Sequence, residues 1–101
     1  MPLDANILAS LRKLEPTLRA RGVNRLAVFG SRARNDYRPD SDLDVLIDVK
    51  EGKKFSLLDL VGVSHLISDS LRLEANIFMR RSLDEEMARA IQADVIEVFD
   101  V

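Results

Sequence analysis

The chain has no cysteine, a single histidine and a single tyrosine, and nowhere a run of apolar residues long enough to cross a bilayer. Without cysteine there can be no disulfide framework, and the lone His65 has no second histidine or cysteine nearby with which to hold a metal, so a packing or surface role is expected of it. Neither sign of charge dominates. With 15 basic and 17 acidic residues and a net charge of −2, the composition lacks the basic footprint of a duplex-binding protein, so a nucleic-acid partner is not supported. No basic-then-apolar leader, membrane span, repeat or low-complexity tract is present; a cytoplasmic protein without membrane association is expected. Lys50 to Lys54 is the only stretch that reads as a flexible loop. At 101 residues the chain is expected to form one domain, 1–101, with one core and no separate substrate domain, so any large acceptor must be another molecule.

What is present is concentrated between Leu26 and Val49. A short apolar run ends at Gly30-Ser31, an Arg-rich connection follows, and a second run opens with Asp42 and Asp44. Residues two apart on a strand face the same way. The two carboxylates should therefore project together, and Leu43, Val45, Ile47 and Val49 should project to the opposite, core-facing side. Paired carboxylates repel unless a positive group lies between them, and hard divalent cations take such oxygen ligands. Magnesium is the natural candidate, its shell completed by water and by phosphate oxygens. Gly30 lets a backbone approach a phosphate closely, Ser31 offers a hydroxyl and an amide, and a helix opening there points its positive end at the anion. Arg32, Arg34 and Arg38 lie between the two halves, and the planar fork of arginine suits phosphate.

The string GSRAR, a short connection and then SDLD closely resembles the signature of the minimal nucleotidyltransferase (MNT) domains of the DNA polymerase β-like nucleotidyltransferase superfamily. Gly30, Ser31, Asp42 and Asp44 match it residue for residue, and Arg32 and Arg34 match positions commonly basic in small bacterial members. The likeness extends in length and element order over nearly the whole chain. It implies transfer of a nucleoside monophosphate from a triphosphate to a hydroxyl, with Asp42 and Asp44 holding Mg2+ and with Gly30, Ser31, Arg32 and Arg34 on the nucleotide. Such proteins often accompany HEPN-domain toxins and some attach AMP to them. The resemblance thus implies ATP as donor, a HEPN toxin or other protein as acceptor, and an antitoxin role. No base-reading motif is found in the sequence itself.

The remaining pattern implies a small α+β fold, a mixed sheet with helices packed mainly on one face. Asp4 reads as the N-cap of a first helix carrying Ile7, Leu8, Leu11, Leu14 and Leu18, which Pro16 must either kink or restart. Gly22 suits its stop, and Val23 to Phe29 the first strand. A helical turn is expected through Arg34, then a loop containing Tyr37, the second strand over Asp42–Val49, and a helix from a Ser56/Asp59 capping box to about Ser70. Leu57, Leu58, Val61, Leu66 and Ile67 are expected to form the buried side of that helix. The third strand falls within Leu71–Met79. Ser82 and Glu85 read as a second capping box for a helix through Met87, Ala88 and Ile91 to about Ala93, with Met79 and Met87 as core fillers and a final strand over Val95–Phe99. The short link between the first two strands permits an antiparallel pair.

In the third strand the sequence departs from the MNT pattern. Superfamily members usually carry a third acidic residue here, directed at the same metal. Aligning backwards from Ser82-Leu83 places that position on Asn76, a neutral and weaker ligand that cannot act as a base; Glu74, two residues earlier, is the other reading. With Asn76 in place, nucleotide binding is expected more firmly than turnover. The competing reading of the chain is a catalytically weakened binding module that neutralises a partner by occlusion, and a further one is a nucleotide sensor that transfers nothing.

Overall fold

The computed structural model describes residues 3–101. Asp4 caps α1 (Ala5–Lys13), its carboxylate accepting from the Asn6 and Ile7 amides. The proline problem is solved by a restart: Leu14 both ends α1 and opens α2 (Glu15–Ala20), with Pro16 in the first turn, where its missing N–H costs nothing. Gly22, at φ +102, reverses the chain into β1 (Val23–Phe29). Then follow α3 (Ser31–Arg34), β2 (Leu43–Val49), α4 (Leu57–Leu71), β3 (Ala75–Met79), a 3-10 turn (Arg80–Ser82), α5 (Glu85–Ile91) and β4 (Ile96–Phe99).

The sheet order is β3-β2-β1-β4. β1 pairs antiparallel with both β2 and β4, whereas β2 and β3 are parallel and joined by the α4 crossover, so the sheet is mixed. Strand alternation separates two faces. Leu26 and Val28 of β1 and Leu43, Val45 and Ile47 of β2 bury themselves beneath α1, α2 and α4, together with Leu11, Leu18, Val63 and Ile67. Val49 and Met79 pack at the border of this core. The opposite face carries Ala27, Phe29, Leu46 and Phe78, covered in part by Leu83, Ile91 and Val95 of the α5 region. Helices α1, α2 and α4, with Ala33 of α3, thus cover one face, and the α5 region lies on the other.

Two expectations about helices are corrected. On α4 the residues that reach the core are Val63 and Ile67, flanked by Leu60, Leu66 and Leu71, while Leu57, Leu58 and Val61 are 75%, 82% and 42% exposed. The first turns of this helix are apolar on nearly every side. At 100° per residue only one stripe can face the sheet, and Leu58 and Val61 fall on its far side. His65 is exposed on the same helix. The Ser56/Asp59 box forms as expected, with the Ser56 amide donating to Asp59 at 2.8 Å and the Asp59 amide to the Ser56 hydroxyl at 3.3 Å. Donation to the Asp59 carboxylate by the Ser56 amide, and secondarily by the Ser56 hydroxyl at 3.1 Å, holds that carboxyl below its ordinary range. The second box does not form. Ser82 is consumed in the 3-10 turn, Leu83 is extended, and Asp84 caps α5 through the Met87 amide at 2.7 Å. That helix ends at Ile91. Met87 is half-buried and belongs to neither apolar cluster.

Candidate active site

β1 ends in Phe29, and at Gly30 the backbone adopts φ +78, ψ −159, a region open in practice to glycine alone. The turn starts α3 at Ser31 with no side-chain cap, so the amides of this short helix are not covered by a carboxylate or hydroxyl. Ser31 is partly exposed there. The chain returns through the Asn35–Ser41 loop to Asp42, which is exposed just ahead of β2, and to Asp44 inside it.

Pairing then assembles the site. Asp44 lies opposite Phe29 on one neighbouring strand and opposite Asn76 on the other. The Asn76 Nδ2 donates to Asp42 Oδ2 at 3.1 Å and to Asp44 Oδ1 at 3.2 Å. Because ionised carboxylates only accept, the amide must present its NH2 to them. Both aspartates therefore converge on one small group, and the amide partly offsets a repulsion that a cation would remove. Glu74 lies outside β3 with an exposed side chain bonded to neither aspartate; its contribution is a backbone carbonyl that accepts from the Leu43 amide at 2.8 Å. The register thus puts Asn76, not Glu74, against the pair. Gly30 completes the floor. A Cβ built there would overlap Asp44 Oδ2, so glycine suits the dihedral angles and any larger residue would also have to displace that carboxylate.

The arginines are disposed unequally. Arg32 is turned inward and only 6% exposed. Its Nε and Nη2 donate to the Ser41 carbonyl at 3.2 and 2.9 Å, Nη2 reaches the Pro39 carbonyl at 3.4 Å, and the guanidinium lies 4.2 Å from the Tyr37 ring centroid. Arg34 is tied to Asp36 at 3.0 Å and to Asp94, beyond α5, at 2.8 Å, bonds that hold its guanidinium above its already high ordinary pKa. Arg38 is exposed, and its guanidinium makes no hydrogen bond or ion pair among the described residues. Tyr37 packs on its neighbour rather than standing free. The sequence does not indicate the inward turn of Arg32, whose carbonyl partners are seven and nine residues away, nor the Arg34–Asp94 tie across 60 residues. Only the turn chemistry of Arg38-Pro39-Asp40-Ser41 hints that this loop folds back.

Among the described residues no group of three or more His, Cys, Asp or Glu side chains has metal-holding geometry. The two carboxylates of Asp42 and Asp44 are nevertheless a partial donor set of the hard-oxygen type, incomplete in the way that phosphate oxygens and water complete for magnesium.

A mixed sheet carrying a glycine turn, an aspartate pair and a short helix between them is the arrangement of a nucleotide-transferring domain. The model of the nucleotidyltransferase domain family matches residues 10–98. The chain belongs to that family. A protein of Methanocaldococcus jannaschii, provisionally named a protein adenylyltransferase, is 36% identical over 93 residues, covering 92% of this chain and 98% of its own. The protein adenylyltransferase MntA of Thermococcus cleftensis is 34% identical over 77 residues, 76% of each chain. A solved structure described provisionally as a minimal nucleotidyltransferase superposes with a TM-score of 0.73 at 32% identity, covering 93% of this chain and 95% of its own. The fold is also shared, at 11% identity and a TM-score of 0.69, with a chain from the complex of a tri-AMPylated Shewanella oneidensis HEPN toxin with its MNT antitoxin, over 94% of this chain and 73% of that one.

Proposed function

We propose that this protein transfers AMP from ATP to a hydroxyl on a partner protein, as the antitoxin of a HEPN-type toxin. The observation that carries the reading is the convergence of Asp42 and Asp44 on one amide beside the Gly30–Ser31 turn, in a chain whose relatives at 34–36% identity are named protein adenylyltransferases. The AMPylated toxin in complex with its antitoxin supports the choice of acceptor at the level of the shared fold.

In this reading the acceptor oxygen attacks the α-phosphorus. A P–O bond forms to the acceptor, the bond to the β-phosphate oxygen breaks, and pyrophosphate leaves with the electron pair; the hydroxyl proton passes to water or to an aspartate oxygen. Asp42 and Asp44 would hold Mg2+, which when bound would supply positive charge to the phosphoryl-transfer step. Gly30 gives the triphosphate a close approach, Ser31 and the first α3 amides donate to it, and Arg38, exposed on the loop between α3 and β2, is a further cation within the same segment. Arg34, braced by Asp36 and Asp94, is available only at its outer edge.

The test is the intact mass of the protein that co-purifies with this chain from its native cells. An AMP adduct on that partner is expected; a partner held tightly and never modified would replace the reading by the second one, an occluding module. One observation favours that second reading: the side chain that meets both aspartates from β3 is the neutral amide of Asn76.

Asn76 also gives a separate prediction. With Mn2+ as a spectroscopic substitute for Mg2+, Asn76→Asp is expected to tighten metal binding about tenfold, ~1.4 kcal/mol, because an anionic oxygen replaces a neutral amide. The metal-free variant should melt earlier than wild type, since three carboxylates then face one another. Glu74→Gln should leave both quantities unchanged in the same titrations. The reverse pattern would transfer the third-ligand role to Glu74.

A further inference from the structure

Arg32 has the residue type and position of a phosphate contact but not the geometry of one. Its side chain is buried, and three of the five N–H bonds of its guanidinium are directed at carbonyl oxygens of its own chain. Those carbonyls belong to Pro39 and Ser41, the latter immediately before Asp42. The loop is closed on itself at the same place: the Ser41 amide donates to the Arg38 carbonyl at 2.9 Å, and the Arg38 amide to the Ser41 hydroxyl at 2.8 Å. Tyr37 lies over the guanidinium.

The two aspartates need unequal help. Asp44 sits within β2, ladder-bonded between β1 and β3 and backed by Gly30. Asp42 is outside the strand and exposed; among the described residues only the Asn76 amide hydrogen-bonds to its carboxylate. Whatever fixes the Ser41 peptide fixes the origin of the Asp42 side chain.

We infer that Arg32 is the positioning residue for Asp42: its guanidinium, stacked on Tyr37 and forked onto the Ser41 carbonyl, holds the loop so that both carboxylates meet one cation. This deepens the nucleotidyltransferase reading and rests on it. Lysine cannot substitute, for it keeps the charge but lacks the planar fork and the stacking face.

The experiment compares wild type, Arg32→Lys and Tyr37→Ala in two measurements. In the metal-free protein, hydrogen exchange of the Arg38 and Ser41 amides is expected to accelerate about tenfold in Arg32→Lys through loss of the anchoring hydrogen bonds, with β1 amides unchanged. Titration with Mn2+ alone is expected to show binding weakened about tenfold, in the range for residues that orient metal ligands. Tyr37→Ala should shift both readings in the same direction by less, and it carries the test should Arg32→Lys fail to fold. Unchanged loop exchange together with weaker ATP binding would overturn the inference and make Arg32 a phosphate contact. Accelerated exchange with unaltered Mn2+ affinity would overturn it too, reducing the clamp to a stability element. If wild type binds neither Mn2+ nor ATP, the nucleotidyltransferase reading fails, and this inference with it as regards the cation; the exchange result still decides separately whether Arg32 holds the loop.

Discussion

Asp44→Asn is expected to slow AMP transfer by about 10²- to 10³-fold, the usual cost of losing one preorganised electrostatic partner of the transition state, while the protein melts no earlier than wild type. The two expectations separate because, in the proposed reading, the charge of Asp44 serves the chemistry and not the fold. Its carboxylate shares one amide with Asp42 and lies against the Gly30 backbone, so the metal-free protein bears a repulsion that the amide offsets only in part. Asparagine has the same shape and relieves it. The rate is read from the appearance of AMP-bearing partner by intact mass, and stability from a thermal melt of the same preparation. Undiminished transfer would remove Asp44 from the site.

Gly30→Ala combines two faults, and Gly52→Ala is its control. Both glycines have positive φ, +78 and +81. At Gly52 a Cβ would meet nothing within 4 Å, so alanine there should cost only backbone strain, about 1–2 kcal/mol. At Gly30 the dihedral region is the one reserved in practice for glycine, worth about 1–3 kcal/mol, and the new methyl would strike Asp44. The melting temperature of Gly30→Ala should therefore fall further than that of the control, at about 4–8 °C per kcal/mol for a domain of this size. Nucleotide and Mn2+ binding should be lost in Gly30→Ala and kept in Gly52→Ala. Equal losses in the two variants would mean that the Gly30–Asp44 contact carries no weight.

Most of the fold was legible because its signals are local. Pro16, Gly22 and the Ser56/Asp59 box each act within a turn of their own position, and alternation in β1 and β2 assigns Leu43, Val45 and Ile47 to the core without knowledge of a partner strand. The aspartate pair follows from the same alternation. Legibility failed where a choice depends on distant atoms. Which stripe of α4 meets the sheet is decided by β3 and α1, so Leu57, Leu58 and Val61 read as core though they face outward. Ser82 lost the capping role to Asp84 because the chain leaving β3 first makes a 3-10 turn. Sequence alone could not choose between Asn76 and Glu74, since the β2–β3 register is set by pairing across the α4 crossover. Nor could it tell an arginine that faces phosphate from one that supports a loop.

That crossover also orders events in time. The β1–β2 hairpin is antiparallel and closed by a short connection, whereas the bonds from Asn76 to Asp44 and Asp42 span 32 and 34 residues. Local pairs close before distant parallel ones, because a long loop must lose its entropy before any contact repays it. A nascent chain that has made only the hairpin carries its aspartates side by side with no neutralising neighbour. The amide arrives when β3 docks against β2, so the two aspartates gain their common hydrogen-bond donor only after the α4 crossover has closed.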